Sequence, residues 1–142
     1  MREKGQTEVA KTLETPVFSR GIEILTEKFE FTNFFRNPTP LLLQLSRYLE
    51  EDAEFYRILI KANGSEMFME KLKKVFTDYM LNDSDIPEDM RHSKMVSLRV
   101  CYFAGGIVNL YKQWFRGDLN CTLNDIALEV SKLLQLEAKQ LF

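Results

Sequence analysis

The chain has few of the residues from which most chemical sites are built. It has one histidine, His92, and two cysteines, Cys101 and Cys121, which form no C-x-x-C pair. That set is too small for a zinc centre and its four soft ligands. Six glycines and four prolines in 142 residues leave little turn chemistry for a many-stranded sheet. No sign of charge dominates: the formal net charge is −2, and the basic residues are scattered among acidic ones. A DNA-binding surface needs a basic patch or stripe, so this chain alone is expected to bind DNA poorly. The longest apolar stretch, beginning at Val100, falls short of the roughly 20 residues that span a bilayer. Membrane contact is therefore not expected. The first residues, Met-Arg-Glu-Lys-Gly-Gln, have no apolar run behind them and read as no signal peptide. Two unpaired thiols and no leader fit a reducing, cytoplasmic setting.

What is present is a globular composition, 45% hydrophobic and 28% charged, with apolar residues at helical spacing almost throughout. The sequence predicts an all-α chain. Residues 1–37 form a lead-in. Its first part, Met1 to Glu14, is mostly polar. Thr15-Pro16 is a helix-start signal, and Phe18, Ile22, Leu25 and Phe29 share a face, which predicts one helix over about 16–30. Phe31, Phe34 and Phe35 then fall in a turn that Asn37-Pro38 closes. The main domain is 38–142. Thr39-Pro40 repeats the start signal, and Leu42, Leu45 and Leu49 make a short stripe. Glu50-Glu51-Asp52 breaks it, with Asp52 placed to cap the next helix, whose buried side is Phe55, Tyr56, Leu59 and Ile60. Asn63-Gly64 closes that helix and Ser65 caps another. In it Phe68, Leu72, Val75, Phe76, Tyr79 and Met80 keep a three-four spacing, while Glu70, Lys71, Lys73 and Lys74 cover the wet side.

After a loop over Asn82 to Glu88, a long helix is predicted from about Glu88 to Arg116, with Gly117 as its stop. Its apolar residues, from Met95 to Phe115, wrap most of the cylinder, which predicts burial on several sides. Thr122-Leu-Asn-Asp125 is a capping box with Asp in place of Glu. Behind it Leu123, Ile126, Ala127, Val130, Leu133, Leu134, Ala138 and Leu141 form a stripe about five turns long. One chain of this size has difficulty covering so much apolar surface. The last two helices are therefore expected to form a four-helix bundle with a second copy. Leu123, Ile126, Ala127, Val130, Leu133, Leu134 and Leu141 would carry that homodimer. Gly105 and Gly106 add to the case, because each Gly inside a helix costs about 1 kcal/mol relative to Ala. Close approach of a partner helix is one reason for them; a bend or free volume beside a ligand is another, and tolerant internal packing a third. Trp114 reads as an interface or core anchor.

The stretch Tyr102 to Gly117 combines an aromatic-rich helix, small residues at its centre, a Trp near its end and a Gly stop. Leu41 to Gly64 places a short helix, an acidic turn and an aromatic pair before a Gly-Ser break. In order and spacing these resemble the C-terminal regulatory domain of the tetracycline-repressor (TetR/AcrR) family of transcription regulators, over about residues 38–137. The resemblance implies a multi-helix domain that dimerises through its last two helices and binds a small apolar effector inside each subunit. It implies contact with DNA only through an N-terminal helix-turn-helix head, for which residues 1–37 are too few. Candidate pocket residues are Phe55, Phe68 and Met69, then Leu72, Phe76 and Met80, and on the long helix Tyr102, Phe103 and Tyr111, with Asn109 and Gln113 suited to orienting a polar group. Ordinary core packing is the other reading of each. His92 lies in a charged stretch and reads as a solvated residue. No nucleophile–base set, phosphate loop or metal constellation stands out, so neither enzyme activity nor a cofactor is expected. The alternative to a sensor is a structural or adaptor homodimer whose core is filled by its own side chains.

Overall fold

The computed structural model describes residues 34–61 and 65–141, and the described residues are all-helical. They form five helices: α1 Thr39–Glu51, α2 Ala53–Lys61, α3 Ser65–Leu81, α4 Lys94–Arg116 and α5 Leu123–Leu141. The helix expected over 16–30, the Asn63-Gly64 stop, and the side chains of Leu59, Ile60, Ser65 and Leu141 lie outside what is described. The heaviest packing is of α3 on α4 and of α1 on α5, with α2 resting on α4. So α4 is the central rod, and α1 joins α5 on one flank.

Local chemistry sets the helix ends. The first turn of α1 starts one residue earlier than the Thr39-Pro40 signal suggests. Pro38 is the cap, in helical geometry, and its carbonyl accepts from Leu42 N at 3.1 Å. Thr39 is thus already inside the helix, where its hydroxyl cannot act as the cap. A single residue, Asp52, separates α1 from α2, and its carbonyl takes the amide of Tyr56 at 3.1 Å. Before α5, Thr122 and Asp125 cap each other reciprocally: Thr122 N donates to Asp125 Oδ2 at 2.9 Å and Asp125 N to Thr122 Oγ1 at 3.0 Å. This is the expected box. Gly117 ends α4 at φ 85°, a left-handed position that suits Gly.

The start of α4 is a correction. The sequence places it near Glu88, but residues 82–93 form successive turns and the helix begins at Lys94. Ser93 is the cap, its hydroxyl accepting from Val96 N at 3.3 Å. Arg91 holds the turns in place. Its guanidinium donates to the carbonyls of Leu81, Asp83 and Ile86, so the end of α3 is capped by a side chain that a longer α4 would have carried away. A run of good helix formers is here overridden by a tertiary hydrogen-bond set.

The stripe on α5 is the second correction. Leu123, Ile126, Ala127, Val130 and Leu134 are buried within the chain itself. They face α1, where Leu41, Leu42, Leu45 and Leu49 are also buried. Ser46 Oγ donates to the Leu123 carbonyl at 3.2 Å and fixes that contact. These residues are core. The physical reason is that α1, although short, is apolar enough on one face to cover the stripe. Leu133 alone of the described set remains exposed.

Candidate functional site

The residues expected to line a pocket divide by position. Phe68, Leu72, Phe76 and Met80 on α3 and Tyr111 on α4 are fully buried, and they line one α3–α4 seam. Phe55, Met69 and Phe103 pack against that core while partly exposed. Tyr102 is 78% exposed and Asn109 is exposed. Gln113 turns to Asn109 across the helix surface, Nε2 to Oδ1 at 3.4 Å. Tyr102, Asn109 and Gln113 therefore do not join the interior set. Tyr102 sits on the side of α4 away from α3, and Asn109 falls on the same outer stripe.

The interior is an aromatic cluster. Phe76 stacks on Tyr111 at 6.5 Å with an 11° interplanar angle. Tyr56 lies among Phe68 at 5.1 Å, Phe115 at 5.8 Å and Tyr48 at 6.3 Å. Two polar atoms stand out: the hydroxyls of Tyr56 and Tyr111 are buried with no hydrogen-bond partner of normal geometry. Loss of water raises the pKa of both phenols well above the ordinary value. Next to Tyr56, the Tyr48 phenol adds to the rise, while Ser46 offsets it in part at Tyr111. Burial likewise pushes Tyr79 up to about 12. All three favour the protonated form in the folded state. Their stabilising effect is therefore whole below the unfolded phenol value of 10.0 and lost as pH rises through the folded values. Unfolding at alkaline pH should begin above about pH 10 and coincide with phenolate absorbance. A protein that stays fully folded while its tyrosines titrate at their ordinary value would contradict this burial.

A second face belongs to α4 alone. Met95, Leu98, Tyr102, Gly105, Gly106 and Asn109 fall at three-four spacing along one outer stripe, and Leu98 is 71% exposed. Added Cβ atoms at Gly105 and Gly106 would meet nothing within 4 Å, so nothing among the described residues requires glycine there. On α5 the exposed apolar residues are Leu128, Leu133 and Leu136, the last 57% exposed. An ion pair between Arg99 Nη1 and Glu137 Oε1 at 2.6 Å ties α4 to α5 next to Leu98 and Leu136. Beyond it an open groove of about 640 Å³ is lined by Arg36, Lys132, Gln135, Leu136, Ala138 and Lys139. Trp114 turns inward along the chain: Nε1 donates to the Cys121 carbonyl at 2.7 Å, and Arg57 lies 5.4 Å over its ring. It is an intrachain anchor for the α4–α5 turn.

A third feature was not foreseen. Asp83 is fully buried in the α3–α4 loop. Its carboxylate accepts from Phe35 N and Asp85 N, both at 2.9 Å. Arg36 Nε pairs with Asp85 at 3.6 Å, and Gln135 Nε2 donates to the Arg36 carbonyl at 3.2 Å. The turn that leads into α1 is thus pinned to the α3–α4 loop on one side and to α5 on the other. In the sequence this region reads only as a loop over Asn82 to Glu88. Ser46 was missed too. Its signal was available, since it occupies the buried face one position from Leu45 and one turn from Leu42 and Leu49.

Among the described residues no group of histidine, cysteine and carboxylate side chains is placed to hold a metal ion, and no helix is long and apolar enough to cross a membrane. Cys101 and Cys121 are both exposed free thiols, and Cys101 borders the outer stripe of α4. No curated protein and no solved structure matched the chain. One family did match, over residues 36–136: the TetR-type family described as the transcriptional regulator C-terminal region. The matched span holds all of α1 to α4 and most of α5, and it begins at the pinned turn. The chain belongs to the family of C-terminal regulatory domains of TetR-type transcription regulators.

Proposed function

We propose that this chain is the ligand-sensing and dimerising part of a TetR-like regulator, and that it acts without enzyme chemistry of its own. The observation that carries the dimer is the outer stripe of α4. Leu98 and Tyr102 stand well clear of the chain, and large apolar residues grouped in this way mark an interaction surface. A glycine pair at the middle of that stripe, needed by nothing among the described residues, suits a second α4 crossing closely. Leu128, Leu133 and Leu136 extend the surface onto α5. The contact is thus proposed on the outer faces of the last two helices, and the stripe buried against α1 takes no part.

The aromatic interior of α2, α3 and α4 is the place proposed for a small apolar effector. It offers adaptable apolar surface and few polar groups, as small-molecule sites do. The adaptor reading also has an observation in its favour, because Phe68, Leu72, Phe76 and Met80 are packed closed. Uptake then requires a minor open state that the effector selects. Any contact with DNA is assigned to a helix-turn-helix head and not to α1–α5.

Native mass spectrometry of the purified chain reads both parts at once. The expected result is a dimer with a small molecule retained in each subunit. Tyr102→Glu with Leu98→Glu is expected to give a folded monomer, with dimer affinity lowered at least about a hundredfold by two desolvated, like-charged pairs. A bare dimer would favour the adaptor reading. A wild-type chain that is monomeric at high concentration would overturn the proposed surface.

A further inference from the structure

We propose that residues 16–30 of this chain dock as a helix in the open groove beside α5, with Glu23, Glu27 and Glu30 turned toward its basic lining. Arg36, Lys132 and Lys139 belong to that lining, and no carboxylate does. Three cations around one concave surface repel one another and focus positive potential there, so the groove favours an acidic occupant. The acids nearby do little to balance them. Glu129 stands 3.8 Å from Lys132 with both side chains mostly exposed, and a pair of that kind contributes little. Asp85 lies 3.6 Å from Arg36 Nε, on the α3–α4 loop and outside the lining.

The chain delivers such an occupant to this place. Gln135 Nε2 holds the Arg36 carbonyl at 3.2 Å, and Asp83 holds Phe35 N at 2.9 Å. The backbone that leads from the turn to residues 16–30 therefore starts at the groove's edge. The helix predicted there carries Glu23, Glu27 and Glu30 at helical spacing, hence on one face. On α5, Lys132, Gln135 and Lys139 keep a matching spacing. Seven residues separate Glu23 from Glu30 and Lys132 from Lys139, about 10 Å along a helix. Ile24 and Phe31 border the acidic face and suit Leu136, the apolar wall of the groove. Leu136 is the one residue shared with the proposed dimer surface. Leu128 and Leu133 lie outside the lining and stay available to a partner copy.

Carbodiimide cross-linking joins a carboxylate only to an amine in contact with it, and it tests this on the full chain. A mixture of unlabelled and isotope-labelled protein tells links within one chain from links between copies. The expected products join Glu23, Glu27 or Glu30 to Lys132 or Lys139 within single chains. Hydrogen exchange is the second readout. Lys132→Glu with Lys139→Glu should speed exchange over residues 16–30 about tenfold, the scale of a few exposed ion pairs. Both lysines are exposed, so the fold should survive and exchange at Val100 should not change. Adding Glu23→Lys with Glu30→Lys to that variant should restore the slower exchange. Links found only between copies would make the groove a contact between two chains and overturn the proposal. Exchange over 16–30 as fast as in an unfolded chain would overturn it too. So would protection that the lysine reversals leave unchanged, because the segment would then be seated elsewhere through its Phe18 to Phe29 stripe.

Discussion

Leu134→Asp is expected to leave the chain unfolded. Leu134 is fully buried where α5 meets α1. Removing its side chain forfeits about 2–5 kcal/mol of burial and packing. The carboxylate put in its place has no cation beside it, and a buried unpaired charge adds several kcal/mol more. The sum reaches the whole stability of an ordinary domain, about 5–15 kcal/mol. Circular dichroism should show the helical signal lost or its melting transition abolished. Leu136→Asp on the exposed side of the same helix should keep the helical signal of the folded chain and, as part of the proposed dimer surface, weaken self-association instead. A Leu134→Asp protein that stays helical and merely loses its partner would show that the α5 stripe faces outward, contrary to the packing on α1.

The second large effect is expected at Asp83. Replacing it with Ala removes the acceptor for the amides of Phe35 and Asp85 and leaves the first donor buried and the second half-buried. Hydrogen bonds to a charged group are worth about 1.5–3 kcal/mol each. With partial recovery by water, the net loss should be about 3 kcal/mol in urea unfolding. Asp83→Asn keeps one acceptor oxygen and should recover part of it. Hydrogen exchange at Phe35 should quicken more than at Val100, because the turn before α1 loses its tether while the core does not. A loss below about 0.5 kcal/mol would mean that the carboxylate contributes nothing to holding that turn.

Much of this architecture was legible in the sequence because helix periodicity is a local property. The stripes of α1, α3 and α5, the capping box at Thr122 and the stop at Gly117 all stand in the structure where the spacing puts them. Two things were not legible, for different reasons. The start of α4 depends on Arg91 reaching back to the end of α3, a contact that no propensity encodes. The direction in which a stripe faces depends on what else is apolar. Leu123 to Leu134 had the pattern of a partner surface, yet α1 covers it. On the central helix, expected to be buried on several sides, Met95, Leu98 and Tyr102 are instead exposed. For the candidate pocket, aromatic identity was readable but depth was not. Tyr102 and Tyr111 belong to one helix and one residue type, and they end on opposite sides of it.

The glycine pair gives α4 a mechanical character of its own. The helix has 23 residues and is about 35 Å long, with Gly105 and Gly106 near its midpoint. Glycine lacks the Cβ that restrains helical backbone, so stiffness is lowest there. The rod is in effect two rods with a compliant joint. The first carries Leu98 and Tyr102 on its outer side, and the second carries Tyr111, Trp114 and Phe115. Strain applied at the aromatic end should be taken up in part at the joint. Alanine at both positions would make a stiffer member, one in which a displacement at Tyr111 is transmitted along the full length of α4.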